Sequence, residues 1–216
     1  MRYGKLKIFA GPMFAGKTSN LLLDFRSRMN AGCFFKILVK PKVDTRYAND
    51  RVVTHDSKSE PCYTTETLMD FFKTAPFKKL LKDFMMYRDR VSDSYFVFYI
   101  DECHFFEDLV PAIRYLLSEG IDVVCSGLDM TSTGEVFQNM EGAFGLADQV
   151  LKLKGRCSLC QDKSKYTARR PLEHQLENPE MLVGGSERYV PLCGSCFEAV
   201  KHGRVDLEKA IKARDY

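Results

Sequence analysis

Nowhere in the 216 residues does an apolar run approach the ~20 needed to cross a bilayer, so a helical membrane protein is excluded. Charge of one sign is not in excess either. Lys and Arg number 32 against 29 Asp and Glu, which leaves a formal net charge of +3. Composition therefore makes no case for a nucleic-acid binder, which would carry a strong basic patch. The opening Met1-Arg2-Tyr3-Gly4-Lys5 leads into a short strand-like run, not into the apolar core of a secretion signal. Internal repeats and low-complexity tracts are absent as well. These absences leave a soluble cytoplasmic protein as the expectation, with no membrane partner.

What is present is a core-forming chain. Hydrophobic residues make up 45%, enough for one domain, or for one domain with a small appendage. Strand and helix patterns alternate from Lys5 to about Val150. Lys5–Ala10 reads as a strand. Thr18–Ala31 reads as a helix with Leu22, Phe25 and Met29 on one face, and Gly32 is placed to end it. Phe34–Lys40 reads as a strand stopped by Pro41. Thr64 to about Arg90 is polar and helix-like, broken near Pro76. Ser94–Ile100 is aromatic and β-branched, as in a strand covered on both faces. Phe106–Glu119 reads as a helix, Ile121–Ser126 as a central strand and Gln149–Lys154 as a last strand. This order predicts an α/β fold with a mostly parallel sheet and helices on both faces. After Lys154 the character changes. Domains are accordingly drawn at 1–154 and 155–204, with a charged helical tail at 205–216.

The stretch Gly11-Pro12-Met13-Phe14-Ala15-Gly16-Lys17-Thr18 fits G-x-x-x-x-G-K-[ST] between a strand and a helix, the context in which a P-loop works. It makes the predicted sheet one of the P-loop NTPase type. Its glycines let backbone N–H groups face phosphate oxygens at a helix N-terminus. Lys17 is expected on the β- and γ-phosphates of ATP and the Thr18 hydroxyl on Mg²⁺. A second carboxylate follows the strand Ser94–Ile100. Asp101 stands where open parallel sheets place ligands and is the expected metal-side acid. Glu102 is the candidate general base. An adjacent Asp-Glu pair equally suits an ATPase that activates water, so these motifs leave the phosphoryl acceptor undecided.

Eight cysteines divide evenly. Cys33, Cys62, Cys103 and Cys125 are scattered and read as reduced thiols in apolar surroundings. Cys157/Cys160 and Cys193/Cys196 form two C-x₂-C pairs, and four soft thiolates in that pairing suit tetrahedral Zn²⁺. Four ligands fill the shell, so such a zinc is structural. Between the pairs, Tyr166–Arg169 and Leu182–Gly185 followed by Tyr189 are compatible with backbone wrapped around a ligand or with a plain surface loop.

In this order and spacing the motifs resemble the type II thymidine kinases. The resemblance runs from Gly11 to Cys196 and rests on the P-loop, P-K-V-D-T-R-Y at Pro41–Tyr47, T-H-D at Thr54–Asp56, D-E-C-H-F-F at Asp101–Phe106, L-D at Leu128–Asp129, and C-x₂-C, Y-T-A-R, V-G-G-S-E-R-Y and C-x₂-C beyond. It implies a P-loop domain joined to a zinc-bearing lasso, and transfer of the γ-phosphoryl group of MgATP to the 5′-hydroxyl of thymidine. By position, Glu102 matches the general base, Asp101 the metal-side acid, and Asp44 and Arg46 a motif beside the phosphates and Mg²⁺. Arg169 matches an arginine that reaches from the lasso. Met13, Phe105, Leu128, Thr167, Val183, Gly184 and Tyr189 match the nucleoside pocket, with Phe137 at its second aromatic position. The resemblance also implies a tetramer and inhibition by the end product.

Two positions depart from the family pattern. His104 stands where glutamine is usual, either keeping a hydrogen bond or packing as a buried ring. Ser132 stands where an aromatic packs on the base, which removes apolar contact worth ~1–3 kcal/mol and implies weaker thymidine binding or a broader substrate range. The rival function is a zinc-ribbon ATPase acting on nucleic acid, for which Lys152, Lys154, Arg156, Lys163, Lys165, Arg169 and Arg170 supply a basic cluster.

Overall fold

The structure is a computed structural model and describes residues 2–28, 35–46, 50–54, 57–88, 95–171 and 184–213. In chain order the first elements are β1 (Leu6–Ala10), α1 (Lys17–Ser27), β2 (Phe35–Pro41), β3 (Arg51–Val53), β4 (Ser59–Pro61), β5 (Tyr63–Thr65), α2 (Leu68–Phe71) and α3 (Ala75–Arg88). They are followed by β6 (Phe96–Ile100), a 3-10 turn (Cys103–Phe105), α4 (Leu109–Ser118), β7 (Asp122–Gly127), α5 (Gln138–Leu146) and β8 (Gln149–Lys152). The last are β9 (Tyr166–Arg169), β10 (Tyr189–Leu192), α6 (Gly194–Lys201) and α7 (Leu207–Lys212).

Six strands pair in the order β5-β2-β6-β7-β1-β8, every pair parallel. Period-two alternation divides their side chains between two cores. Leu6, Ile8, Ile37, Val39, Phe98, Ile100, Val123 and Cys125 face α2, α3, α4 and α5. Phe9, Leu38, Val97, Tyr99 and Val124 face Leu21, Leu22 and Phe25 of α1 and Val52 of β3. All five residues of β6 are fully buried. Each large apolar side chain so covered contributes about 1.5–3 kcal/mol. The carboxyl ends of β1, β2, β6 and β7 therefore meet on one edge of a rigid sheet.

Beyond Lys152 the chain builds a smaller unit. β9 and β10 form an antiparallel ribbon that packs with α6 and α7 around Cys157, Ala168, Val190, Leu192, Cys193, Phe197 and Leu207. The Tyr166 and Phe197 rings stack at 4.3 Å. Among the described residues no helix is long and apolar enough to cross a membrane.

Several sequence expectations shift. β2 runs through Pro41, which pairs opposite Thr65 at a place where no N–H from that residue is needed. Pro76 does not interrupt a helix; it sits in the first turn of α3, where a missing N–H costs nothing, and the break falls between α2 and α3. The helix expected from Phe106 begins at Leu109 because the 3-10 turn comes first and Phe106 is buried in the core. α5 and the β3–β4 hairpin had no counterpart in the sequence reading. Met29, Ala31, Gly32, Cys33, Phe34 and Ser94 lie outside the described residues.

Candidate active site

The loop leaving β1 turns into α1 through Gly16, whose left-handed backbone (φ 75°) caps the helix. Only glycine takes that conformation without a steric cost. α1 has no side chain capping its N-terminus and no acidic residue in its first turn. Its free N–H groups and the positive end of its dipole are thus left for an anion. Lys17 is buried and donates to the Pro12 carbonyl at 2.7 Å. Burial pulls its pKa down, and the Glu102, Asp101 and Asp129 carboxylates oppose that shift.

β6 delivers the acids. The Asp101 N–H donates to the Val39 carbonyl at 2.9 Å, which fixes where the strand ends. The Thr18 hydroxyl lies 3.2 and 3.3 Å from the two Asp101 carboxylate oxygens, and the Ser126 hydroxyl donates to one of them. Burial and the neighbouring Glu102 charge push Asp101 up to about 7. A buried carboxylate raised in this way is one that a cation would stabilise. Hydroxyl and carboxylate oxygens side by side are also the hard donors that Mg²⁺ takes. The residues present fit that ion.

Glu102 has left-handed backbone (φ 49°, ψ 41°), unusual for a residue with a side chain and worth about 1–3 kcal/mol of strain. Burial would raise its pKa, but the paired Arg46 guanidinium, together with Lys17 and the other nearby groups, outweighs burial and holds it at about 2. Arg46 also donates to Asp44 at 2.6 Å. His104 Nδ1 comes within 3.6 Å of Glu102 but accepts the Leu128 N–H at 3.2 Å. Burial lowers its pKa to about 4, so the ring is neutral with its proton on Nε2, and the approach to Glu102 is not an ion pair. The ring also packs on Phe105 at 4.2 Å and Phe137 at 4.9 Å. Both alternatives for His104, hydrogen bond and packing, hold at once. Gly127 makes room for this turn, since a β-carbon there would lie 2.7 Å from Cys103 Sγ. Asn139 of α5 pins the turn by donating to the His104 and Phe106 carbonyls at 2.8 and 2.9 Å.

One cavity joins these groups. Of the residues singled out from sequence, it is lined by Met13, Phe14, Gly16, Lys17, Thr18, Asp44, Arg46, Asp101, Glu102, Phe105, Leu128, Phe137, Thr167, Gly184 and Tyr189. Gly11, Pro12 and Ala15 belong to the same loop without lining the cavity. Arg169 does not line it either; it ends β9 opposite Tyr189, which does. Val183, Tyr47, His55 and Asp56 lie outside the described residues. Ser132 lines the wall where an aromatic was missed, and Thr54, noticed only as part of a motif, lines it too. Lys40, Val52 and Met130, which no motif marks as site residues, also line the cavity. Lys40 left no distinctive signal, since Lys36 is a second charge on the same face of the same strand.

The smaller unit closes one side. The Thr167 hydroxyl accepts the Met13 N–H at 2.9 Å, tying β9 to the phosphate loop. Gly134, in the turn after Ser132, lies against the Phe197 ring. Behind this wall the sulfurs of Cys157, Cys160, Cys193 and Cys196 all lie within 4.8 Å of one another. A tetrahedral zinc with bonds of about 2.3 Å needs sulfurs about 3.8 Å apart, and Cys160 and Cys193 are 3.6 Å apart. Burial raises the Cys157 thiol, but the N–H groups of Cys193, Cys160 and Leu159 bring it down to about 7. Burial and the three neighbouring thiols push Cys196 well up. Thiols crowded this closely fit a metal cation.

The sequence profile of the thymidine kinase family, described as "Thymidine kinase", matches residues 4–197. The chain is 33% identical to the thymidine kinase of Pseudothermotoga lettingae, over 91% of this chain and 96% of that one. It is 32% identical to thymidine kinase a of Arabidopsis thaliana, over 98% of this chain and 84% of that one. It is 28% identical to the cytosolic thymidine kinase of Gallus gallus, over 90% of this chain and 77% of that one.

Proposed function

The chain belongs to the thymidine kinase family, and on that premise we propose that it transfers the γ-phosphoryl group of MgATP to the 5′-hydroxyl of thymidine. The observation that carries this reading is the convergence of Lys17, Thr18, Asp101, Glu102 and Arg46 on one cavity that Met13, Phe105, Leu128 and Phe137 also line. The α1 N-terminus and Lys17 hold the phosphates. Thr18 and Asp101 would hold Mg²⁺, which would neutralise charge on the phosphate oxygens. Glu102, kept ionised by Arg46, stands on the acceptor side and takes the proton of the 5′-hydroxyl as the new bond forms. Met13, Phe105, Leu128, Phe137 and Tyr189 enclose the base. Arg169, beside Tyr189, stabilises charge on the transferring group. The clustered cysteines support the family's type II subtype: we assign the unit 155–204, beyond a boundary at residue 154, as a zinc-bearing lasso. Its metal would be structural, because four thiolates leave no open coordination position.

With serine at position 132 the base lacks one apolar contact, so acceptance of other deoxynucleosides such as deoxyuridine belongs to the proposal. The chemistry is tested by Glu102→Gln. The expected kcat loss is about 10²–10⁴-fold, with MgATP binding unchanged. A near-normal kcat would remove Glu102 from the mechanism.

A further inference from the structure

The wall of the cavity contains a lysine that neither the phosphate loop nor the acceptor site accounts for. β-strand alternation puts Lys40 on the same face of β2 as Leu38, whose surroundings are apolar. Lys40 is only 1% exposed. Burying an ammonium there costs several kcal/mol unless a carboxylate compensates it. That carboxylate is Asp44, whose Oδ2 lies 3.9 Å from Lys40 Nζ, with both side chains almost fully covered. The other oxygen of Asp44 accepts from Arg46 Nε at 2.6 Å, and Arg46 Nη2 donates to Glu102. Four charges of alternating sign therefore run in series from β2 to the candidate base.

Resting on the kinase reading, we propose that Lys40 is a positioning residue. It holds the Asp44 carboxylate in place, so that Asp44 orients Arg46 against Glu102. The Lys40 ammonium stands against Asp44 at 3.9 Å, so in this proposal it acts through Asp44 and not on the phosphates. Removing its charge leaves Asp44 with Arg46 as its compensating cation. Arg46 is then drawn towards Asp44 and away from Glu102. The consequence is a misplaced base with an intact nucleotide site.

The experiment is a double-mutant cycle on the full-length protein. It measures kcat for thymidine phosphorylation and the MgATP dissociation constant in the wild type, Lys40→Met, Asp44→Asn and the double variant. Lys40→Met should lower kcat by about 10²-fold, the size expected when a reacting group is misplaced. MgATP affinity should stay as in the wild type. The double variant should lose no more than Asp44→Asn alone, because both changes break one series of contacts. Losses that multiply, together with weakened MgATP binding, would make Lys40 a phosphate ligand and overturn the proposal; so would a Lys40→Met kcat near that of the wild type. If circular dichroism shows that Lys40→Met does not fold, Lys40→Arg and Lys40→Gln replace it. The charged variant should be the more active, and equal activity would overturn the proposal. The wild type separates the two levels of inference: transfer by it with Lys40→Met unaffected refutes the positioning role alone, whereas no transfer to any nucleoside refutes the kinase reading and this role with it.

Discussion

Strand β6 buries all five of its residues, whereas β9 buries two of its four, and the contrast extends through each region. The sheet holds itself together by apolar burial on two faces. The cysteine-bearing unit has a core of seven buried residues, two of them cysteines. It also carries the link from Thr167 to the phosphate loop and the Phe197 ring behind the Ser132 turn. The sheet presents Lys17, Thr18, Asp101 and Glu102 to the cavity, and the cysteine-bearing unit adds Thr167, Gly184 and Tyr189 to its wall.

The sharpest way to break the comparison is to disrupt the cysteine cluster. Structural zinc in small units contributes roughly 10–16 kcal/mol of apparent binding energy. Cys157→Ser, or chelation, should therefore unfold the smaller unit and abolish thymidine binding in calorimetry. The parallel sheet should persist, as seen in retained binding of MgATP. Next in size is the reverse experiment. Leu116 is fully buried beneath the sheet, and Leu116→Ala should cost about 2–5 kcal/mol in denaturant unfolding while metal content stays the same. A metal loss in that variant would show the two halves to be one cooperative unit.

A smaller effect is expected at the wall itself. Ser132→Phe should tighten thymidine by ~1–3 kcal/mol, read as a lower KM with kcat little changed. An unchanged KM would count against the account of position 132. The smallest concerns the C-terminal helix. Arg170, at the foot of the ribbon, makes a two-pronged ion pair with Glu208 of α7 at 2.7 and 2.8 Å. Both side chains are about a quarter exposed, so the pair is worth only about 0–1 kcal/mol. Exchanging the two charges, Arg170→Glu with Glu208→Arg, should recover most of what either single change loses in stability.

Legibility in the sequence followed the same division. The strands that line up apolar residues at period two were visible, as were the phosphate loop and Asp101–Glu102, because local pattern fixes them. Helix α5 was missed. Its sequence, Gln138–Leu146, holds two glycines and buries only Met140 and Ala143, so its apolar face is weak. The cysteines were legible by spacing, a signal that needs no periodicity. The Arg46–Glu102 pair and Asn139's hold on the 3-10 turn were not legible, because they join residues 56 and 35 or fewer positions apart through tertiary folding alone. Arg169, matched by resemblance to an arginine that reaches from the lasso towards the acceptor, pairs in the ribbon with Tyr189 of the cavity wall, a neighbourhood that local pattern does not fix.

The central claim, that the phosphoryl group goes to a nucleoside and not to water, is tested most directly by following label from MgATP. The panel would hold thymidine, deoxyuridine, deoxycytidine, deoxyadenosine and deoxyguanosine, with no-nucleoside and single-stranded DNA controls. The account expects label on thymidine, less on the other nucleosides, and little free phosphate in either control. Free phosphate that rises with DNA, with no labelled nucleoside, would contradict it and favour a nucleic-acid-stimulated ATPase.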